Sequence, residues 1–203
     1  MARWFTADLH LGHENIIRYS NRPFADAEAM NRALVERWNE TVDPSDEVWV
    51  LGDVALGRIA ETLPLVSTLH GHKRLIAGNH DRCWEGHGRR AEGWDERYID
   101  AGFAEIHHGQ LDVTVGDVAA VACHFPYEGD SQESDRMVAH RPADEGRWLL
   151  HGHVHDRWLQ WDRMINVGVD AWRFRPVSEA EVYKLIVKGP QTRPCPVERP
   201  GAI

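Results

Sequence analysis

Short, largely apolar runs recur along the first three quarters of the chain, and each leads into polar residues of kinds that bind metals. Runs of this length between turn residues are typical of buried strands. The pattern therefore predicts strands that deliver Asp, Asn or His at their ends. The runs and the residues after them are 4–7 before Asp8, 48–51 before Gly52-Asp53, 74–77 before Gly78-Asn79-His80-Asp81, 118–123 before His124, and 148–150 before His151-Gly152-His153-Val154-His155.

Apolar residues at helical spacing lie between several of these strands. Residues 26–40 place Met30, Leu34 and Trp38 at positions i, i+4 and i+8, which predicts an amphipathic helix. Asp26 is placed to cap the start of this helix. Further helices are predicted at 62–70, at about 88–101, and after a capping box formed by Ser178 and Glu181.

Alternating strands and helices predict an α/β protein built in layers. Two strands without an intervening helix follow at 110–115 and 118–123, joined by a tight turn at Gly116 and Asp117. This predicted hairpin means that the sheet arrangement is not purely parallel.

The length of 203 residues, 42% of them hydrophobic, suffices for one domain with a sizeable core. We expect that domain to cover residues 1–189. Segment 190–203 contains four prolines and is predicted to be a loose tail.

The chain is acidic, since 23 Lys and Arg against 32 Asp and Glu give a net charge of −9. A nucleic-acid-binding protein normally presents a basic face, so we expect no extensive nucleic-acid footprint. No run approaches the roughly 18 apolar residues that span a bilayer. The three cysteines lack the spacing of a disulfide framework, and a strand beginning near Arg3 leaves no room for a secretory signal. These features predict a cytoplasmic protein that does not bind membranes.

The polar residues at the strand ends are expected to converge, because ligands of open α/β sheets bind beyond the carboxyl ends of the strands. Asp8 and His10 flank a single residue, so both side chains can turn toward one ion, and His153 and His155 repeat this spacing. Glycines without a Cβ permit sharp turns and close approach of the backbone at three of these blocks: Gly52, Gly78 and Gly152.

In this order, the blocks resemble the calcineurin-like metallophosphoesterase superfamily. They are Asp8-x-His10, Gly52-Asp53, Gly78-Asn79-His80-Asp81, His124 and Gly152-His153-x-His155, and the resemblance covers residues 1 to about 187. The segments 8–16 and 166–170 are similar to small stand-alone bacterial and phage members. The resemblance implies a four-layer α/β/β/α sandwich of two mixed sheets flanked by helices, with a dinuclear metal site.

The same resemblance implies the ligands of two divalent transition-metal ions. Asp53 would bridge the two ions. Mixed oxygen and nitrogen ligands suit Mn²⁺, Fe, Ni or Zn better than Mg²⁺ or Ca²⁺, and Mn²⁺ is the ion expected first. Hydroxide shared by the ions would attack phosphorus in line. One ion would be held by Asp8, His10 and His155, and the other by Asn79, His124 and His153.

Two neighbours of the ligand Asn79 are expected to act in catalysis. His80 would contact the scissile phosphate and protonate the leaving oxygen, a role that suits an imidazole near neutral pH. Asp81 would orient His80 through a hydrogen bond. Both roles are implied by the resemblance.

Three further residues are candidates for substrate binding, each beside a plainer interpretation. His13 would line the substrate pocket or be a polar loop residue. Arg136 and Arg141 lie in the long connection 125–147, which would cover the substrate and grip a phosphate, or form a surface loop of salt bridges.

The substrate is expected to be a small phosphoester, with a preference for phosphodiesters because 203 residues leave little length for a cap over the site. A phosphomonoesterase and a nuclease remain alternatives, and so does a non-catalytic metal-binding scaffold. Amidohydrolase barrels run to about 250 residues and are disfavoured. The absence of a Gly-x-x-x-x-Gly-Lys-Ser/Thr loop disfavours nucleoside triphosphate chemistry of that type.

Overall fold

Two mixed β-sheets and five α-helices make up residues 1–197, the part of the chain that this computed structural model describes. The strands are β1 (Arg3–Thr6), β2 (Glu47–Val50), β3 (His72–Ile76), β4 (Phe103–His107), β5 (Gln110–Val115), β6 (Val118–Cys123), β7 (Trp148–His151), β8 (Gln160–Asp162), β9 (Met164–Asn166), β10 (Val177–Ser178) and β11 (Gln191–Cys195). The helices are α1 (Glu14–Tyr19), α2 (Ala27–Thr41), α3 (Ile59–Thr62), α4 (Trp94–Asp100) and α5 (Glu179–Lys188). Segments of 3₁₀ helix lie at Leu63–Thr68, Glu85–Ala91, Val138–His140 and Val169–Ala171.

The first sheet has the strand order β10-β1-β2-β3-β4, and the second has the order β11-β8-β9-β7-β6-β5. Strands β1 to β4 are parallel, and β10 pairs with β1 in the antiparallel sense. In the second sheet, β7 is parallel to both β6 and β9, whereas the other pairs are antiparallel. The chain therefore leaves β1, β2 and β3 at the same end of the first sheet. It also leaves β6 and β7 at one common end of the second sheet.

Alternation along the strands sorts the apolar side chains into two layers. On β6, Ala120 and Ala122 belong to the cluster between the sheets, whereas Val121 and Cys123 belong to the cluster on the other side. The cluster between the sheets also contains Phe5, Trp49, Leu51, Ile76, Leu150 and Ile165.

Helix α2 covers the outer face of the first sheet. Its stripe of Met30, Leu34 and Trp38 is buried in one cluster with residues of β2 and β3, as the spacing predicts. The Asp26 side chain caps the helix by accepting a hydrogen bond from the backbone N–H of Ala29 at 2.7 Å.

The predicted fold class is confirmed, with two mixed sheets and flanking helices. Strands β5 and β6 pair from Gln110↔Cys123 to Val115↔Val118, so the predicted hairpin is also confirmed. The capping box of Ser178 and Glu181 begins α5. The single helix predicted over 62–70 is instead α3 followed by the 3₁₀ segment Leu63–Thr68.

The prediction of a loose tail over 190–203 is wrong for residues 191–195, which form strand β11. This strand pairs irregularly with β8, with Gln191 opposite Asp162 and Cys195 opposite Gln160. Pro194 is tolerated there because β11 is an edge strand, where a missing backbone N–H costs little. Residues 198–203 lie outside the described part of the chain, and the extent of a single domain over 1–189 stays a prediction.

Candidate metal centre

The predicted metal ligands meet where strands of the two sheets end. Asp8, Asp53 and Asn79 follow β1, β2 and β3, and they are buried. His124 follows β6 and is also buried. The remaining ligands are His10 near β1, and His153 and His155 after β7.

The backbone is unusual at most of these ligands. A positive φ is uncommon outside glycine, and such conformations concentrate at functional sites, where the surrounding structure maintains them. Five of the seven predicted ligands adopt one: Asp8 (57°), His10 (52°), Asp53 (58°), His153 (69°) and His155 (52°). The fold therefore bends the chain sharply at the positions that direct these side chains into the site.

Glycines beside the ligands leave no room for a side chain. A Cβ on Gly152 would lie 2.6 Å from the Cβ of Ala7 and 2.7 Å from Oδ2 of Asp8. A Cβ on Gly78 would lie 2.4 Å from Oδ1 of Asp53. These contacts are too short for any real Cβ, which agrees with the close backbone approach predicted from the sequence.

One set of metal-binding atoms comes from Asp8, His10 and His155, whose candidate ligand atoms lie within 4.8 Å of one another. The Nε2 atom of His10 is buried without a hydrogen-bond partner in the structure. Nδ1 of His155 is 3.3 Å from Oδ2 of Asp170, so this nitrogen carries the hydrogen and leaves the Nε2 lone pair free. A buried, unsatisfied nitrogen beside a carboxylate fits a cation.

The other set comes from Asn79, His124 and His153. The Nδ1–H of His124 donates to the carbonyl of Leu51 at 2.8 Å, so its Nε2 lone pair faces Oδ1 of Asn79 at 3.2 Å. His153 Nδ1 lies 3.0 Å from that same oxygen, and its Nε2–H faces Asp130. Acceptor atoms thus converge with no hydrogen between them. Ligands about 2.1 Å from one ion and at right angles lie roughly 3 Å apart, so the set fits a bound metal.

Asp53 lies between the two sets. Its Oδ2 atom is 3.5 Å from Nε2 of His10 and 3.6 Å from Nε2 of His124, so one carboxylate oxygen lies near both sets. Its Oδ1 atom accepts the backbone N–H of His80 at 2.8 Å. Burial alone would raise the pKa of Asp53, but the neighbouring histidines and the backbone N–H of His80 together lower it.

Burial favours the neutral imidazole, the form that binds metals, at His10 and His153. It lowers the pKa of His10 well below its ordinary value. It lowers the pKa of His153 to about 4, although Asp130 opposes this shift. Burial raises the pKa of Asp8, since the charged carboxylate is disfavoured there.

His80 lies at the exposed side of the site, with its ring centroid 5.4 Å from that of His10 and 6.4 Å from that of His13. Desolvation lowers the pKa of His80, and the Asp53 carboxylate opposes this shift. The ring therefore lies where it can contact a molecule bound beside the site.

The structure does not support the predicted role of Asp81 as the residue that orients His80. The Asp81 carboxylate is fully buried and accepts the backbone N–H groups of Asp53, Val54 and Gly78 at 2.8 to 2.9 Å. The hydroxyl of Tyr98 is a fourth donor, at 3.2 Å. Burial raises the pKa of Asp81 to about 6, with Asp53 adding to the shift. Asp81 therefore joins the loops after β2 and β3, and its hydrogen bonds do not go to the His80 ring.

A cavity of about 760 Å³ opens beside the metal-binding atoms. His13 and Arg136, both predicted to bind substrate, line it together with His80. Arg141 is not in its lining. That side chain is only 4% exposed and pairs with Asp130 and Asp135, which is why it does not reach the cavity.

Sequence reasoning missed three charged residues that support the ligands. Asp130 contacts His153, and Asp170 contacts His155. Arg22 forms a fully buried pair with Asp170 at 2.8 Å. Asp170 follows the short strand β9, so its position after a strand was a signal of the kind that identified the other carboxylates. Asp130 and Arg22 lie in irregular segments and gave no such signal.

Among residues 1–197, no helix combines the length and apolar character needed to cross a bilayer.

The fold and the site define a two-sheet α/β protein with a buried cluster of metal-binding side chains beside an open cavity. The chain belongs to the calcineurin-like phosphoesterase superfamily, whose domain profile matches residues 1–181. This confirms the resemblance seen in the sequence, and family and site together support a metal-dependent phosphoesterase.

Relatives of similar length occur in phages and archaea. The chain is 34% identical over 200 residues to the Gene 66 protein of Mycobacterium phage L5. The alignment covers 90% of this chain and 93% of that protein. It is 30% identical over 199 residues to an uncharacterized protein of Methanocaldococcus jannaschii, covering 94% of each. A crystal structure of a protein of unknown function from Aquifex aeolicus has a TM-score of 0.67 and 23% identity, covering 91% of this chain and 98% of that one. This last match shows that the two proteins share a fold.

Proposed function

We propose that the protein hydrolyses a small phosphoester with two bound metal ions, and that it prefers phosphodiesters. The observation that carries the proposal is the convergence of nitrogen and oxygen lone pairs with no hydrogen between them. These atoms lie beside a second donor set whose His10 and His155 line the cavity. A site of that kind binds cations and leaves them accessible to a substrate.

The two donor sets described above would each hold one ion, with Asp53 shared between them. When bound, two transition-metal ions, Mn²⁺ before Fe, Ni or Zn, supply a hydroxide near neutral pH and offset charge on the phosphoryl oxygens. The nitrogen-rich donor set supports transition-metal ions over Mg²⁺ and Ca²⁺, because those two ions prefer oxygen ligands.

The protein's own groups would bind and protonate the substrate. The backbone N–H of His80 is fixed by Asp53, while its ring lies at the exposed side of the site. That ring would hold a proton at one nitrogen and transfer it to the leaving oxygen. His13 and Arg136, on the cavity wall, would donate hydrogen bonds to the phosphate.

The size of the cavity supports a diester. A volume of about 760 Å³ has room for a phosphoryl group with both of its ester substituents. The net charge of −9 supports a small substrate over long nucleic acids. A cytoplasmic location remains a prediction.

The test is hydrolysis of bis-p-nitrophenyl phosphate and p-nitrophenyl phosphate by the Mn²⁺-loaded protein. We expect the higher kcat/KM for the diester, a loss of about 10²–10⁴-fold in His80→Ala, and loss of activity in Asp53→Asn. His72→Ala, an exposed substitution on β3, is the control and should match the wild type.

Each part of the proposal has an outcome that would contradict it. Full activity in Asp53→Asn would contradict a shared carboxylate at the centre of the site. A higher kcat/KM for the monoester would make the protein a phosphatase. Tight Mn²⁺ binding without turnover of either ester would favour a non-catalytic scaffold.

A further inference from the structure

Asp130 joins the long connection 125–147 to the metal centre. Its side chain is fully buried, and Oδ2 accepts the Nε2–H of His153 at 3.1 Å. Oδ1 accepts Nε and Nη2 of Arg136 at 3.0 and 2.6 Å. Nη2 of Arg141 is 3.3 Å from Oδ2. One carboxylate therefore contacts both a predicted metal ligand and a residue that lines the cavity.

The contact with His153 selects one tautomer of its imidazole. Because a carboxylate only accepts hydrogen bonds, the hydrogen must be on Nε2, and the lone pair is then on Nδ1. Nδ1 is the atom that faces Oδ1 of Asn79 at 3.0 Å. Carboxylates in this position orient metal-binding histidines and raise their basicity.

The contact with Arg136 fixes one edge of its guanidinium. Nε and Nη2 face Asp130, and Nη2 also donates to Ser131 at 2.9 Å. The side chain is 31% exposed and lines the cavity. Within residues 1–197 the side-chain hydrogen bonds of Arg136 come from Nε and Nη2, so Nη1 remains able to bind an anion there.

Electrostatics agree with this arrangement. Burial alone would raise the pKa of Asp130, but the hydrogen bonds from His153 and Arg136 outweigh burial and hold the pKa well below its usual range. These contacts therefore favour the charged form of the Asp130 carboxylate.

We propose that Asp130 is a positioning residue that fixes His153 for metal binding and Arg136 for binding a phosphoryl or other anionic oxygen of the substrate. The inference rests on the proposed function. It gives the connection 125–147 a role as part of the site, and it makes metal affinity and substrate affinity depend on one carboxylate.

Asp170 provides an internal comparison. It contacts Nδ1 of His155 and pairs with Arg22, but the Arg22 side chain is fully buried and is not in the cavity lining. Asp170 thus contacts a predicted ligand but orients no exposed arginine, whereas Asp130 also contacts Arg136, which is partly exposed at the cavity.

The first test compares Asp130→Asn with Asp135→Asn. Asp135 is in the same connection and pairs with Arg141, but its carboxylate is 45% exposed and contacts no histidine within the described chain. We expect Asp130→Asn to lower Mn²⁺ affinity at one of two sites by about 10–100-fold in titration calorimetry. We also expect it to raise KM for bis-p-nitrophenyl phosphate. Asp135→Asn should change neither quantity more than about twofold, as for an exposed ion pair.

Arg136→Gln separates the two effects. This variant keeps the contact between Asp130 and His153, so it should raise KM while Mn²⁺ affinity stays within about threefold of the wild type. Wild-type Mn²⁺ affinity and KM in a folded Asp130→Asn protein would overturn the proposal. An equal loss of Mn²⁺ affinity in Asp135→Asn would overturn it too, since the effect would then come from charge alone.

A second measurement requires no variant and no activity. Long-range ¹H–¹⁵N correlation on metal-free wild-type protein labelled at histidine should show His153 protonated at Nε2, and protonation at Nδ1 would overturn the proposal. If the wild type binds Mn²⁺ but hydrolyses no ester, the proposed function fails. The tautomer and the Mn²⁺ affinities still decide the role of Asp130 in that case.

Discussion

At the scale of single residues, the buried pair of Arg22 and Asp170 supports a strained part of the site. Arg22 donates to both oxygens of Asp170 at 2.8 Å and to the carbonyls of Asp8 and Leu9 at 2.7 and 3.0 Å. Asp8 adopts a positive φ, so the guanidinium holds the chain where its conformation is unfavourable. Burial alone would raise the pKa of Asp170, but Arg22 and His155 outweigh burial and lower it to about 2.

Replacing Arg22 should therefore destabilise the protein strongly. Arg22→Met leaves a buried carboxylate without its partner, and we expect the free energy of unfolding of the metal-free protein to fall by about 3–5 kcal/mol in urea. Arg32→Met removes the exposed pair with Glu28 and should cost less than about 1 kcal/mol. A similar small cost for both variants would mean that the buried pair does not stabilise the site.

The separation of contacting residues along the sequence explains which parts of the site could be predicted and which could not. The seven candidate ligands could be found because each lies at or near the end of an apolar run. Arg22 and Asp170 are 148 positions apart, and Asp130 and His153 are 23 positions apart. The local sequence therefore carries no sign of either contact. The sequence identified Asp81 as a candidate residue of the site. Its role could not be predicted, because its hydrogen bonds go to backbone groups of loops that only the fold brings together.

At the scale of elements, the apolar runs in the sequence identified the strands that precede the predicted ligands, but they did not identify several other strands. Strands β1, β2, β3, β6 and β7 have apolar runs because both of their faces are covered. Strand β4 lies at a sheet edge with Ala104 and Glu105 exposed, so it has no such run. The strands β8 to β10 are only two or three residues long, and tertiary pairing determines them.

The turn at Gly152, between β7 and the predicted ligands His153 and His155, provides a test at this scale. In Gly152→Ala, the new Cβ would meet Ala7 and Asp8, so we expect the loop to shift and Mn²⁺ affinity to fall more than about tenfold. Overpacking should also cost roughly 1–3 kcal/mol of unfolding free energy. Gly93→Ala is the control, because no atom lies within 4 Å of its added Cβ. Its left-handed backbone should cost about 1–2 kcal/mol without changing Mn²⁺ affinity. Unchanged Mn²⁺ affinity in Gly152→Ala would show that the close approach is not needed.

At the scale of the whole molecule, the site joins the two sheets. Asp8, Asp53 and Asn79 come from the first sheet, and His124 and His153 come from the second. Burial is the main cause that raises the pKa of Asp8, and the nearby carboxylates of Asp53 and Asp170 add to the rise. Cations bound there would offset the charge of these carboxylates and connect the sheets.

Metal binding should therefore stabilise the entire fold. A ligand of the folded state at 100 times its Kd adds about 2.7 kcal/mol to stability. For a chain of this size, each kcal/mol raises Tm by about 2–4 °C. We expect saturating Mn²⁺ to raise Tm by about 5–10 °C for each occupied site in differential scanning calorimetry, and EDTA to reverse the rise.

Two controls show whether that rise comes from the proposed site. Asp53→Asn removes the carboxylate between the donor sets and should lose most of the Mn²⁺-dependent rise while keeping the metal-free fold. Mg²⁺ should raise Tm less than Mn²⁺, because imidazole nitrogens are poor ligands for it. If Mn²⁺ raised the Tm of the wild type and of Asp53→Asn equally, the ions would bind elsewhere, and the two sheets would be held together by their apolar layer alone.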